Sequence, residues 1–529
     1  MMGHSPCRRR CLCRPSSRAP RPAVNLGGSV LLLVALFMAG CGADYVPPSF
    51  PTTGMPAEPL GQVMDLDVSL PQFFVPEAMA AGLTLDLRLE IESAGPGLHR
   101  ASYHVVAALA DMGLMVDVED LGTGTTSVTV TGDRWITGRI GPLRIGVATF
   151  EMLLDGTPEA AGRRVSGEAL ESQTALSGTF TGWARHRFLL ATTDLSAAGR
   201  VSEVSLVRER EIRVRADLTP VSPDPFLRRS GRQVFVLNRL TYDNMQGLDP
   251  ESDFATSWQL SLGVGANPHD AAVVPDGRIF VSRYEPPFND LAILAADGSE
   301  LLGTVPLGDL AENQDGTPRA DHLALVDGMV FVGLQDIDRT FTRLAEGKLA
   351  VVDPVLDASV GVIPLGGKNP GSMEVVMEDG GERRLYVALA GIFPGLQPQE
   401  LSGGVMVVDP VNRVVERMAL DDDVAGGNIG ALAMVSPHLG YVVASDATFV
   451  NRVLAFDPAA GTIRRTLLET TQFIPEVEVD SGGVLALPDT NLNRPRLCLY
   501  RVAPDPAVAE SQLGCADLDL MPFSLEALD

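Results

Sequence analysis

Apolar and polar residues alternate strictly from Leu83 onward, where the chain reads LTLDLRLEIES. The apolar residues from Leu83 to Ile91 occupy every second position, which is typical of a β-strand with one buried face. Further candidate strands follow in LMVDVED, TSVTVTG, LRIGVATFEMLL and TALSGTFTGW, each bounded by Gly, Asp or Thr. Short strands separated by turn residues predict a small β-sandwich over residues 61–182.

A different pattern recurs further along the chain, a short apolar strand that ends at an aspartate. It is written NMQGLDP, LAILAADG, KLAVVDP, GVMVVDP and RVLAFDP, and successive aspartates are 48 or 56 residues apart. A second strand signal keeps step with the first, its aromatic residues lying 45 to 55 positions apart at Phe235, Phe280, Phe331, Tyr386 and Tyr441. Two out-of-phase strands that share a period of about 50 residues predict the repeated blades of a β-propeller. Each Asp is expected to cap a turn, and Pro, where present, to end the strand pairing.

Earlier and later copies of these strands extend the repeat. RHRFLLATTD with RVSEVSLV supplies an early blade, and GGVLALPD with RLCLYRVAP supplies a late one. The predicted fold class is therefore all-β, with about seven propeller blades over residues 183–510, the small β-sandwich before them and a C-terminal tail over 511–529.

One stretch of the repeat points to a known family. The segment NPHDAAVVPDGRIFVSRY, followed by LAILAADGSELLGTVPLG, resembles the YVTN family of β-propeller repeats, with its Asn-Pro, its PDG turn and its Asp-terminated strand. The chain departs from the family pattern at Asn238, Arg283 and Leu389. The resemblance spans about 300 residues and implies the propeller fold, but it implies no single activity, because propellers host binding proteins, lactonases, dehydrogenases and scaffolds.

The first 40 residues have the basic, apolar and small-residue order of a secretory leader. Their apolar run, LGGSVLLLVALFMAG, is shorter than the ~20 residues that span a bilayer. The end of the run, Met38-Ala39-Gly40-Cys41, resembles a bacterial lipobox, which implies a signal peptide over 1–40 and acylation of Cys41. Gly42 after the cysteine implies a place in the outer membrane, by analogy with known lipoproteins. The Pro-rich segment 41–60 is expected to be an extended tether.

Charge narrows the possible partners. Six of the 41 basic residues lie in the leader, which leaves 35 basic against 67 acidic residues in the rest of the chain. Such a surface repels phosphate backbones, so we expect no nucleic acid partner. The expected partner is the membrane, through the lipid anchor, and the expected location is the cell envelope.

Two cysteines, Cys498 and Cys515, lie outside the leader and its cleavage site. In an oxidising compartment they could form a disulfide that holds the tail against the last blade. The alternative is a pair of buried thiols.

The strand that opens each blade lines the channel of a propeller. Here those strands begin ANPHDAAVV, RADHLALV, KNPGSMEVV, NIGALAMV and IPEVEVD. They place several polar side chains near one channel mouth, namely Asn267, His269, Asp270, Asp321, His322, Asn369 and Glu374, with Asn428 and Glu476 further round. Two histidines among carboxylates could bind a divalent metal or act as acid and base. The alternative is that they are turn formers and channel-rim groups.

The sequence has no Gly-x-Ser-x-Gly, no phosphate-binding Gly-rich loop and no His-Glu-x-x-His. It therefore assigns no catalytic residue and requires no metal or cofactor. The predicted function is a lipid-anchored cell-envelope β-propeller that acts as a binding module for a protein or small molecule. The alternative is a metal-dependent hydrolase or lactonase with its site at the channel mouth.

Overall fold

The computed structural model describes residues 62–528 except 76–79, 93–96, 111–112, 132–133, 159–162, 172–175, 314 and 396. The expected signal peptide, Cys41 and the expected tether lie outside the described residues, so these assignments stay predictions. Strands dominate the part of the chain that is described, and no helix in it is long and apolar enough to cross a membrane.

The N-terminal domain is one antiparallel sheet that closes on itself. Its strands are β1 (Gln62–Val75), β2 (Ala80–Ile91), β3 (Gly97–Ala110), β4 (Leu114–Met115), β5 (Glu119–Asp120), β6 (Thr125–Thr131), β7 (Arg134–Thr137), β8 (Ile140–Ile145), β9 (Ala148–Pro158), β10 (Arg164–Glu171) and β11 (Ser177–Ala184). Eight of them, in the order β10-β11-β1-β2-β3-β6-β7-β9, form a barrel-like ring because β9 also pairs with β10. The other three extend this sheet at β3 and β9.

The predicted sandwich is thus a single closed sheet. Alternation along β2 does bury Leu85, Leu87 and Leu89, but their partners come from all round one ring rather than from a second layer. At the closing pair, Gly156 faces Gly167, and a Cβ on Gly167 would overlap the carbonyl oxygen of Asp155. Side-chain alternation reports which face is buried and not whether a sheet closes, so the sequence pattern could not reveal this.

The predicted propeller is confirmed, with seven four-stranded blades. The first three blades are formed by β12 (His186–Thr193), β13 (Gly199–Val207) and β14 (Glu211–Val221); by β15 (Pro225–Ser230), β16 (Gln233–Asn238), β17 (Asn244–Asp249) and β18 (Ala255–Ser261); and by β19 (Pro268–Val273), β20 (Ile279–Arg283), β21 (Asp290–Leu294) and β22 (Leu301–Pro306). Blades 4 and 5 are β23 (Ala320–Val326), β24 (Met329–Leu334), β25 (Lys348–Asp353) and β26 (Ala358–Pro364), then β27 (Pro370–Met377), β28 (Arg383–Leu389), β29 (Gly404–Asp409) and β30 (Val414–Asp421). Blades 6 and 7 are β31 (Asn428–Ser436), β32 (Leu439–Ser445), β33 (Asn451–Asp457) and β34 (Thr462–Thr470), then β35 (Glu478–Val479), β36 (Val484–Asp489), β37 (Arg496–Arg501) and β38 (Ser511–Asp517). Blade 1 takes its inner strand from the end of the chain, β39 (Met521–Ala527), which pairs with β12. Short helices are few among the described residues: 3-10 turns at Pro250–Ser252 and Gly308–Leu310, and α1 (Asp422–Ala425).

The segment 511–529 was predicted as a tail, but its described part, residues 511–528, belongs to the ring. It supplies the outer strand of blade 7 and the inner strand of blade 1. Cys498 and Cys515 face each other across β37 and β38 and form a disulfide, so the bridge joins two strands of one blade. The two ends of the propeller segment, β12 and β39, pair across a long sequence separation. A local repeat pattern contains no information about such a contact.

The ring has two different faces. The chain enters every inner strand from the upper face, which carries the long loops 307–319, 335–347 and 390–403. The lower face carries short turns, where Asp353 accepts a hydrogen bond from the amide of Val355 at 2.8 Å, the capping role expected for the repeated Asp. The barrel-like domain contacts this lower face beneath blades 1 and 7, where Arg163 lies 3.5 Å from Asp480 and Arg208 pairs with Asp86.

Candidate functional site

The predicted site residues lie on the inner strands of blades 3, 4 and 5 or directly before them. All seven are buried, and the most exposed of them, Asn267, is 8% exposed. Four residues, Asn267, His269, Asp321 and His322, are joined by hydrogen bonds into one chain. Asp270 belongs to a separate network, while Asn369 and Glu374 lie one blade further on.

Both ring nitrogens of His269 are occupied. Nδ1 lies 2.6 Å from Oδ1 of Asp321, and Nε2 lies 3.1 Å from Nδ2 of Asn267. Since an amide NH₂ can only donate, Nε2 is the acceptor, and Nδ1 carries the proton that Asp321 accepts. Burial lowers the pKa of His269 from its ordinary value, which favours this neutral ring.

Asp321 is the centre of the cluster. Its Oδ2 accepts from Nε2 of Gln335 at 2.6 Å and lies 3.0 Å from Nδ1 of His322. Burial alone would raise the pKa of Asp321, but the two histidines hold it below its ordinary value. The cluster therefore stays ionised at one carboxylate that blades 3 and 4 share.

Asp270 forms a second network with Arg228, a residue that the sequence reasoning missed. Oδ2 of Asp270 accepts from Nη2 of Arg228 and from the amide of Leu323, each at 2.6 Å. Nη2 of Arg228 also donates to the carbonyl oxygen of Leu323 at 2.7 Å. Three inner strands, β15, β19 and β23, are thereby tied together. The available signal was a charged residue inside the apolar strand PFLRRS that opens blade 2.

A row of stacked planar groups leads from the cluster to the loops. The ring of His269 lies parallel to that of Tyr284 at 4.0 Å. The guanidinium of Arg319 lies 4.9 Å from the Tyr284 ring and 4.7 Å from that of Phe341, and it pairs with Glu285 at 2.5 Å. Cation–π contacts of this kind stabilise a loop against its strand. The loop 335–347 is thus fixed to the same cluster.

Asn267 links the cluster to two more loops. Its Oδ1 accepts from the amide of Leu240 at 3.1 Å. Asp243 accepts from the amides of Gly265 and Asn267 at 2.7 and 2.9 Å, which joins the loops 239–243 and 262–267. These loops expose Leu240, Tyr242 and Val264, at 41%, 49% and 93%. We call these three side chains the upper patch.

The geometry does not form a metal cage at the predicted residues. Among the described residues, three possible ligand groups lie within 4.8 Å of one another at Asp421, Asp422 and Asp423, in blade 5 and α1. Those three are consecutive acidic residues, and Asp421 caps α1 by accepting from the amide of Asp423 at 2.9 Å. The cluster at the mouth is instead suited to holding strands and loops in place.

A seven-bladed β-propeller joined to a closed, barrel-like sheet is the class of protein that these features define. No family model matches the chain, and no curated protein matches it. Among solved structures the chain is similar to a protein from Lactobacillus plantarum, at 15% identity over 65% of this chain and 100% of that one, with a TM-score of 0.45. It is also similar to the dihydro-heme d1 dehydrogenase NirN in complex with DHE (17% identity, 65% and 75% covered, TM-score 0.41) and to the WD40 repeats of RRP9 (12%, 58% and 88%, 0.40). Likeness at this level carries no argument about ligand or chemistry.

Proposed function

We propose that the chain is a lipid-anchored cell-envelope β-propeller that acts as a binding module through its upper face. One observation supports this most directly. Four of the polar residues at the channel mouth, Asn267, His269, Asp321 and His322, are hydrogen-bonded to one another, whereas the loops they hold expose the apolar upper patch. Buried polar groups that hydrogen-bond to one another serve structure, and exposed apolar side chains on a fixed backbone serve contact.

The backbone beneath the upper patch is held in an unusual conformation. Leu240, Thr241 and Asp243 have φ values of 33°, 73° and 49°, in the left-handed region that residues other than Gly rarely adopt. Such a conformation persists where neighbouring groups fix it, and here Asp243 and Asn267 do so. A patch that is already ordered loses little entropy on binding, which favours affinity.

In this proposal the lipid anchor is attached on the lower-face side of the ring, through the barrel-like domain. β1 begins at Gln62, and the carbonyl oxygen of Val63 accepts from the amide of Arg185 at 2.9 Å, at the junction with the lower face. A tether of about 20 residues reaches at most ~70 Å from Cys41. An anchor attached there leaves the upper face free to point away from the membrane.

The anchor is tested by Cys41→Ser. We expect this variant to appear in the soluble fraction while the unchanged protein stays with membranes, because several acyl chains together give stable anchoring. Equal membrane association of both proteins would contradict the anchor.

The binding face is tested by photo-crosslinking in cells. A photoreactive residue replaces Tyr242 on the upper face, and a matched one replaces Val411, which is 72% exposed on the lower face. We expect a discrete crosslinked product from position 242 and none from 411. Product from 411 alone, or from neither position, would contradict the proposal.

The hydrolase alternative needs an imidazole nitrogen that is free to bind metal or take a proton. At His269 both nitrogens are engaged, and Nε2 of His322 has no hydrogen-bond partner but is buried away from solvent, so the geometry favours the binding module. Stoichiometric metal in the purified protein that is lost in His269→Asn would reverse this preference.

A further inference from the structure

The ring closes in blade 1, where β39 pairs with β12, and three buried carboxyl groups lie where β39 meets the inner side of blade 7. Glu478 begins the inner strand of blade 7, Glu476 lies two residues before that strand, and Glu526 lies on β39. All three are buried, with exposures of 4%, 3% and 2%. We call these three residues the closure seam.

The closure seam holds the last strand from the channel side. Glu476 accepts a hydrogen bond from the amide of Leu525 in β39. Ser524 lies 3.5 Å from the other oxygen of Glu476 and accepts from the amide of Leu227 at 2.9 Å. Glu476 thus attaches β39 to blade 7 on one side, and Ser524 of β39 attaches it to β15 of blade 2 on the other.

The hydrogen bonds that hold Glu476 come from neutral groups, the amide of Leu525 and the hydroxyl of Ser524. Arg228 and Arg229 of β15 are the charged neighbours; Nη2 of Arg228 bonds Asp270 at 2.6 Å, and Nη1 of Arg229 donates to the carbonyl oxygen of Ala527 at 2.9 Å. Oε2 of Glu478 is buried and has no hydrogen-bond partner. An ionised oxygen without a partner in such a place is very costly, whereas a protonated carboxyl is neutral.

We propose that the closure seam is a proton-dependent lock, in which Glu476 and Glu478 are neutral carboxylic acids in the closed ring and their ionisation loosens β39. Each ionisation breaks an O–H bond, sends the proton to solvent and leaves a negative charge beside the other two carboxyls. Repulsion then acts on β39, the strand that closes the ring by pairing with β12.

The direction of the pH dependence follows from linkage. Burial, with the charge of its acidic neighbours, raises the pKa of Glu476 and of Glu478 well above 4.5. The folded state therefore binds protons more tightly than the unfolded state, so this stability is fully present below pH 4.5 and is lost as pH rises through the raised pKa values.

The test is hydrogen exchange of β39 as a function of pH, read by mass spectrometry and corrected for the intrinsic pH dependence of exchange. We expect β39 to lose protection as pH rises, while the outer strand β14 of the same blade does not. Glu478→Gln keeps the shape of the neutral acid and should remove most of this dependence. Glu469→Gln, on the exposed outer strand of blade 6, is the matched control and should leave it unchanged.

A second measurement does not depend on any variant folding. The infrared spectrum of the unchanged protein at neutral pH should contain the carbonyl band of a protonated, buried carboxylic acid, and the band should disappear at the pH where β39 loses protection. Absence of that band, pH-independent exchange of β39, or a stoichiometric bound metal that Glu478→Gln abolishes would each overturn the proposal.

Discussion

Replacing Asp270 with Asn should destabilise the propeller strongly. The guanidinium of Arg228 and the carboxylate of Asp270 are 1% and 0% exposed and lie 2.6 Å apart. Asp270→Asn keeps the shape but removes the negative charge. The buried guanidinium loses that countercharge, and the amides of Ala271 and Leu323, which donate to Asp270 at 2.6 Å, can meet an NH₂ group instead of an oxygen.

The expected magnitude follows from the burial of the pair. Removing one partner from a buried ion pair costs about 3–5 kcal/mol, much more than the ~1 kcal/mol of an exposed pair. The double change Arg228→Met with Asp270→Ala leaves no charge behind, so it should cost less than Asp270→Asn alone.

Denaturant unfolding followed by Trp258 fluorescence measures this locally, because Trp258 packs beside Phe235 in blade 2 at a ring distance of 6.0 Å. Trp135 and Trp183 are replaced by Phe so that the signal belongs to the propeller. A loss below about 1 kcal/mol for Asp270→Asn, or a double variant that is less stable than the single one, would refute the argument.

Three further changes should have measurable effects. Burial raises the pKa of Asp422 to about 6, so the stability that this carboxyl contributes declines as pH rises through that value. Asp422→Asn should therefore flatten the plot of unfolding free energy against pH between pH 4 and 6. An unchanged slope of that plot would argue against burial as the cause. Cys498→Ser removes a bridge to Cys515 that spans 17 residues and should cost roughly 2–4 kcal/mol in denaturant unfolding, an effect that reductant reproduces in the unchanged protein. Gly167→Ala should open the β9–β10 pair and so speed hydrogen exchange of these two strands. Gly303→Ala, which has nothing within 4 Å of the new Cβ, should leave the exchange of β9 and β10 unchanged. Equal exchange of β9 and β10 in the two variants would contradict the closing role of Gly167.

Local pattern predicted the propeller well because each blade repeats the same short-range signals. The Asp that ends a strand caps a turn at Asp353, Asp409 and Asp457, as its repetition suggested. The closed N-terminal sheet and the strands at 511–517 and 521–527 were not predictable in this way. Both depend on which strands meet across long stretches of chain, and the period of two is the same in a sandwich, a barrel and a blade.

The sequence located the part of the candidate site that lies on the inner strands. The inner strands do bring His269, Asp321 and His322 together, because strands that open neighbouring blades lie side by side. Their partners Tyr284 and Gln335 lie in the loops directly after the second strands of blades 3 and 4, where no spacing in the sequence marks them. Whether a histidine nitrogen is free or hydrogen-bonded depends on those partners. The sequence therefore left both a metal-binding role and a structural role open, whereas the geometry favours the structural role.

Asn267 links the buried cluster to the upper patch, and the proposed binding face depends most on this link. Hydrogen exchange of the loop 239–243 in Asn267→Ala tests it directly, since this change removes the bonds from Asn267 to His269 and to the amide of Leu240. We predict faster exchange in 239–243 with unchanged protection of β23, together with a weaker crosslink from position 242. Unchanged exchange of that loop, with the crosslink at full strength, would contradict the claim that the cluster at the channel mouth exists to hold the binding face.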